Sequence, residues 1–244
     1  MRLARFIRYT RKLAILEEMA TSAPYCLVSD FDGTFTRQEF YDLATRDGLV
    51  DGMSDYWTGY AAGRLSHFEA IAGIFSHIRC SEPEMRELIA RMEPDPKTPD
   101  ALRALAAAGW DAVLVSNGCQ WYIDLVLEGL ELTKAGLAVP VHACPGRFVE
   151  GQGLIMETPS NSPYFRADFG VDKRMLIEDL QSRYERVAFA GNGSPDYQAS
   201  LAVPPELRFA RGWLARRFDQ QSVPYRPFEA WSEIADALLV PVAP

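Results

Sequence analysis

Short apolar runs separated by helical patterns constrain this chain more than any other feature of its sequence. YCLVSD (25–30), WDAVLVSN (110–117), RVAFAG (186–191) and ELRFAR (206–211) are short, rich in branched side chains, and end in small or polar residues. Strands buried on both faces have that composition. Between them lie amphipathic segments with helix-end signals. Thr98-Pro99 precedes one and Gly109 follows it, as N-cap, first-turn proline and terminal glycine, and Ser81 with Glu84 forms a capping box ahead of MRELIARM. The alternation predicts an α/β fold with a doubly wound, Rossmann-like parallel sheet, whose ligands gather at the carboxyl ends of its strands.

The spacing of these signals is uneven. The first strand ends near Asp30, yet the next begins near Asp111, and residues 37–96 between them read as helices only. A crossover between parallel strands needs only about a dozen residues. Residues 37–96 are therefore expected to form an inserted helical cap, leaving 23–36 and 97–240 as the core. Residues 138–170 carry Pro140, Pro145, Pro159 and Pro163 with Gly146, Gly151 and Gly153, which predicts a small β-hairpin flap around RFVEGQGLIME. Residues 1–22 read as a basic amphipathic helix. Arg2, Arg5, Arg8, Arg11 and Lys12 precede the first acid, Glu17, and Leu3, Phe6, Ile7, Leu13 and Leu16 form the apolar counterpart. Such a helix would suit a surface position against its own domain or a second copy of the chain.

Composition excludes several classes. The 244 residues suffice for one large domain or a core carrying an insertion. With 25 basic against 33 acidic residues the net charge is −8, which argues against a nucleic-acid grip. Cys26, Cys80, Cys119 and Cys144 show no CxxC spacing, so they read as reduced thiols of a cytoplasmic protein. No stretch approaches the ~20 apolar residues of a membrane span. His67, His77 and His142 share no metal-ligand spacing and read as surface or packing residues, while Trp57, Tyr60 and Phe68 read as the core of the cap.

The chemistry is concentrated in four ordered motifs. Asp30-Phe31-Asp32-Gly33-Thr34 directly follows the first strand, and two carboxylates one residue apart can divide labour between attack and proton transfer. Val115-Ser116-Asn117-Gly118 ends the second strand, Lys173 opens a predicted helix, and Gly191-Asn192-Gly193-Ser194-Pro195-Asp196 ends a later strand. All four fall where a doubly wound sheet builds its site.

This ordered set resembles the haloacid dehalogenase superfamily of phosphatases, over about residues 25–240. The resemblance implies an aspartyl-phosphate mechanism with Asp30 as nucleophile and Asp32 as general acid and base. Mg²⁺ would be held by Asp30, the Asp32 carbonyl, Asn192 and Asp196. Ser116, Asn117, Gly118 and Lys173 would bind the phosphoryl group. The family's fourth motif reads Gly-Asp-x-x-x-Asp, so Asn192 removes one negative charge and should weaken Mg²⁺ binding. The helical insertion resembles the phosphoserine-phosphatase-like branch, in which Glu39, nine residues after Asp30, would read a substrate amine. Arg64, the only arginine in GRLSHFEAIAGIFSH, is the candidate for a substrate carboxylate. LRFARGWLARRFDQQSVPYRPFEAWSEI (207–234) and the segment beginning VHA (141–143) resemble the methionine-salvage phosphatases that act on 2-hydroxy-3-keto-5-methylthiopentenyl-1-phosphate. The expected activity is Mg²⁺-dependent hydrolysis of a small phosphate ester. A phosphotransferase or mutase on the same fold, and a weakened phosphate-binding protein, are the alternatives.

Overall fold

Ten strands are numbered along the chain: β1 (Tyr25–Asp30), β2 (Trp110–Cys119), β3 (Val141–Cys144), β4 (Gly146–Val149), β5 (Gly153–Met156), β6 (Phe165–Arg166), β7 (Gly170–Val171), β8 (Arg186–Gly191), β9 (Arg208–Ala210) and β10 (Arg226–Pro227). In this computed structural model, which describes residues 23–50 and 53–240, six of them form one parallel sheet in the order β10-β9-β8-β1-β2-β3. The basic helix expected over 1–22 lies outside the described residues. The helices are α1 (Phe40–Arg46), α2 (Met53–Ala61), α3 (His67–Phe75), α4 (Glu82–Ala90), α5 (Thr98–Ala107), α6 (Gln120–Gly129), α7 (Lys173–Gln181), α8 (Tyr197–Leu201), α9 (Gly212–Gln221) and α10 (Trp231–Leu239).

The two-residue period of the strands separates two cores. Leu27, Leu114, Ala188 and Phe209 face one side, where Leu102 and Leu105 of α5 and Trp231 and Ile234 of α10 cover them. Cys26, Val28, Val113, Val115, Val187 and Phe189 face the other side, against Leu176, Ile177 and Leu180 of α7 and Ala199 of α8. Both faces of the sheet are covered, which is why its strands read as unbroken apolar runs rather than alternating ones.

Every described element between β1 and β2 up to Ala90 is helical apart from the turn Phe31–Phe35. The chain enters and leaves this insertion side by side. Thr36 bridges Pro94, Arg37 N–H donates to the Glu93 carbonyl, and Gln38 N–H donates to that of Met92. Phe40 stacks on Tyr122 of α6 with centroids 4.5 Å apart, so the root of the insertion is packed into the core. Among the described residues no helix is long and apolar enough to cross a membrane.

Several local expectations hold. Ser81 and Glu84 form a reciprocal capping box, and β4 pairs antiparallel with β5 as the hairpin. Three details differ. Thr98 is buried inside the first turn of α5 and Lys97 takes the N-cap position, so the threonine hydroxyl makes no hydrogen bond. Residues 205–207 form a 3-10 turn, and only Arg208–Ala210 pair with β8. Val141–Cys144 is the edge of the main sheet rather than part of the flap.

Trp231 joins the helical layer to the central strand: its indole is buried and its N–H donates to Ser29 Oγ at 3.0 Å. Trp231→Ala should lower the unfolding free energy by about 3–5 kcal/mol, measured by denaturant titration. A change below about 1 kcal/mol would contradict this packing role.

Candidate active site

Three parallel neighbours, β8, β1 and β2, end at one edge of the sheet, and the chemistry-bearing residues lie at or just beyond those ends. Asp30 is the last residue of β1, and Asp32 sits in the turn Phe31–Phe35 that follows. That turn requires glycine at position 33. Its φ is +72°, and a Cβ there would lie 2.8 Å from Glu39 Cγ and closer still to Asn192 Nδ2. Ser116 and Asn117 fall in the final stretch of β2, and Asn192 directly follows β8. Lys173 opens α7, whose N-cap Asp172 accepts from the N–H groups of Arg174 and Met175, both at 3.0 Å.

Lys173 is the centre of the arrangement. Its buried ammonium donates to Asp30 Oδ1 and to Asp196 Oδ1, each at 2.6 Å. An ammonium has three protons, so one donor is left over. Asp196 Oδ2 accepts from the N–H groups of Asn192 at 3.0 Å and Gly193 at 2.9 Å. Asp30 Oδ2 takes no hydrogen bond among the described residues. Asp32 is held on both oxygens: Oδ1 accepts from Phe40 N–H at 3.2 Å, and Oδ2 accepts from Tyr122 O–H at 2.7 Å and Ser116 O–H at 3.2 Å.

Burial and crowding of like charge set the protonation states. Burial first, then the charge of Asp196, pushes the Asp30 carboxyl up to about 8, against the pull of Lys173. Burial raises Asp32 as well, opposed by the hydrogen bonds from Tyr122, Phe40 and Ser116. For Lys173 burial disfavours the charge, but Asp196 and Asp30 outweigh it and hold the ammonium protonated. Glu39 rises to about 7, from burial and then the neighbouring charges of Asp32 and Asp42.

The expected phosphate-binding residues lie at the cavity, but the side-chain donors of Ser116 and Asn117 are engaged within the protein. Ser116 Oγ donates to Asp32 and accepts from Gly118 N–H at 2.9 Å. The Asn117 amide donates to the carbonyls of Phe169 at 2.7 Å and Val171 at 2.8 Å, so this side chain ties β2 to the segment around β7. Asn192 is likewise occupied. Its Nδ2 donates to Glu39 Oε1 at 2.5 Å, and its Oδ1 accepts from Thr34 O–H at 3.3 Å. Arg64 is exposed and does not line the cavity.

The cavity has a volume of about 440 Å³, within the range of small-ligand sites. Tyr41, Trp57, His67, Ile71 and Phe75 of the insertion line it opposite the carboxylates, and Trp213 and Arg216 of α9 line it from the C-terminal side. Trp57 and Phe68 pack against the core as expected, and Trp57 also walls the cavity, whereas Tyr60 is 40% exposed. His67 is a packing residue, half-buried against the rings of Trp57, Tyr60 and Phe169; burial lowers its pKa to about 4, and its Nδ1 has no hydrogen-bond partner among the described residues. Tyr122 and Arg216 carried no signal in the sequence. The first looks like any packing tyrosine on a helix, and the second stands in an ordinary basic run, ARRF.

Known proteins share this fold and sequence pattern. A phosphatase of 2-hydroxy-3-keto-5-methylthiopentenyl-1-phosphate from Microcystis aeruginosa is 25% identical over 214 residues, covering 86% of this chain and 96% of that protein. A haloacid dehalogenase family hydrolase from Salmonella enterica serovar Typhi superposes with a TM-score of 0.60 at 15% identity, over 92% of this chain and 76% of its own. A substrate-bound phosphoserine phosphatase superposes with a TM-score of 0.56 at 17% identity, over 86% of this chain and 96% of its own. The family model of haloacid dehalogenase-like hydrolases matches residues 27–200, from β1 through the Asn192–Asp196 loop, and the chain belongs to that family.

Proposed function

We propose that the protein is a Mg²⁺-dependent phosphomonoesterase that hydrolyses a small phosphorylated metabolite through an aspartyl-phosphate on Asp30. The observation that carries this reading is the state of the Asp30 carboxylate. One oxygen is fixed by Lys173 and the other, at the cavity, accepts no hydrogen bond among the described residues. A nucleophile needs such a free, oriented lone pair.

The residues present fit a hard divalent cation. The donors are all oxygens: the carboxylates of Asp30 and Asp196, the main-chain carbonyl of Asp32, and Asn192 Oδ1. Mg²⁺ prefers such a set. Asp30, Asp32, Glu39 and Asp196 also line one cavity in which Lys173 is the only buried cation among the described residues. That excess of negative charge adds to burial, the larger cause, in pushing the Asp30 carboxyl up. Among the described residues no three acidic or imidazole groups stand preassembled around one point, because Lys173 lies between Asp30 and Asp196. When bound, the cation neutralises the carboxylates and phosphate oxygens that otherwise repel each other.

The side chains then have distinct tasks. Asp30 Oδ2 attacks phosphorus in line with the ester oxygen, whose bond to phosphorus breaks. Asp32, its carboxyl pKa raised, gives the departing alcohol its proton. The resulting Asp32 carboxylate next takes a proton from water, whose oxygen attacks phosphorus and releases inorganic phosphate from Asp30. Tyr122 holds Asp32 against the cavity throughout. The free third proton of Lys173 and the guanidinium of Arg216, unpaired among the described residues, are available to the phosphoryl oxygens. Ser116 can join them once it releases Asp32. The Microcystis relative's phosphorylated substrate supports the choice of a small ester.

Phosphate release from p-nitrophenyl phosphate in Mg²⁺ tests the reading. Asp30→Asn should remove at least about 10³-fold of the activity, and Asp32→Asn about 10²–10⁴-fold. Turnover by Asp30→Asn at the wild-type rate would refute the covalent route, and phosphate appearing on an added alcohol instead of water would make the protein a phosphotransferase.

Stability gives an independent check. The folded pKa of Asp30, about 8, lies above its ordinary 3.8. Between those values the folded chain holds more protons than the unfolded one, so its contribution falls as pH rises. His67, lowered to about 4 from 6.5, acts oppositely, but only below about pH 6.5. From about pH 6.5 to 8 the cation-free protein should therefore lose melting temperature. Asp30→Asn and saturating Mg²⁺ should each flatten that slope, and identical slopes would contradict it.

A further inference from the structure

The contact between Asn192 and Glu39 is a polar pair in the cavity that no step of the mechanism uses. Glu39 belongs to the entry of the insertion and Asn192 to the end of the central sheet, 153 residues later, yet Asn192 Nδ2 donates to Glu39 Oε1 at 2.5 Å. Three features fix this pair. The entry strand is anchored by the bonds of Arg37 and Gln38 to the exit segment. Glu39 precedes α1 and makes no side-chain capping bond to it, so its carboxylate reaches across to the core instead. Gly33 lies directly beneath, and no larger residue fits under the pair.

An asparagine amide has nearly the same shape either way round, and its partners decide which atom faces which way. An ionised carboxylate can only accept, so Glu39 in that state selects the nitrogen. Oδ1 is thereby turned toward Thr34, whose hydroxyl donates to it at 3.3 Å, and this oxygen is the only atom of the side chain able to ligate a cation. The geometry points to Glu39 as a positioning residue for Asn192: by taking the amide nitrogen it leaves the amide oxygen as the face available to a divalent cation, and it supplies beside it the negative charge that position 192 lacks. This rests on the phosphatase reading above, and it assigns Glu39 to the protein's own site instead of to a substrate amine.

The pair has a reciprocal logic. Acids at both positions would put two carboxylates in hydrogen-bond contact, whereas one acid and one amide bond well in either order. Asn192→Asp, which restores the usual family residue, should therefore fail to tighten Mg²⁺ binding while Glu39 is present. Asn192→Asp/Glu39→Gln reverses the bond's polarity and keeps the single charge.

Calorimetric titration of Mg²⁺ alone into wild type, Glu39→Ala, Asn192→Asp and the double variant tests this, with melting curves confirming that each is folded. Glu39→Ala should weaken binding about tenfold, Asn192→Asp should bind no tighter than wild type, and the double variant should bind about tenfold tighter than Asn192→Asp. If Asn192→Asp does not fold, Glu39→Ala against the double variant still decides the matter. Unchanged affinity in Glu39→Ala, or additive effects across the cycle, would overturn the inference and leave the phosphatase reading standing. A wild type that binds no Mg²⁺ would remove the metal reading and the inference together.

Discussion

A single buried ammonium holds the working end of this protein together. Lys173 bridges Asp30 at the tip of β1 and Asp196 beyond β8, and all three groups are buried. Removing one partner from such a set leaves uncompensated charge, at a cost of about 3–5 kcal/mol. The start of α7 is thereby pinned over two adjacent strand ends. The same contact leaves one Asp30 oxygen free and one lysine proton unspent, so the group that stabilises the edge also leaves it reactive.

Around that centre the core and the insertion divide the remaining work. The core supplies charge, with Asp196 collecting two main-chain N–H groups and Asp32 three donors. The insertion supplies Tyr41, Trp57, His67, Ile71 and Phe75, a wall mostly without charge. Water excluded by such a wall strengthens the electrostatics beneath it. The two halves are not loosely hinged at this point. Phe40 stacks on Tyr122, Asp32 accepts from Phe40 N–H, and Glu39 meets Asn192, so the root of the insertion and the proton-transferring carboxylate share one packing unit.

Much of this was legible because local signals and core demands agreed. The branched runs at 25–30 and 186–191 became strands residue for residue. The pairing of Ser81 with Glu84 became a capping box, since every atom it needs lies within four residues. Thr98 failed for the opposite reason. A cap depends on where the chain enters the helix, and here Lys97 enters while Thr98 is drawn into the core. The expected site residues Asp30, Asp32, Glu39, Ser116, Asn117, Gly118, Lys173, Asn192 and Asp196 all line one cavity, but Arg64 does not. Its position on a helical insertion was readable, whereas the face of the insertion turned to the cavity was not.

By itself the sequence determined the α/β class, the helical insertion after the first strand, and the order of acids, serine and lysine along the strand ends. Each follows from periodicity or from residue chemistry over short spans. Only the tertiary structure decided that Lys173 bridges two carboxylates, that Tyr122 grips Asp32, that His67 and Arg216 reach the cavity, and that Asn192 answers to Glu39. Those are meetings between residues up to 153 positions apart, set by strand order and by the packing of the insertion. A side chain records its own chemistry in the sequence, but its partner is chosen by the fold.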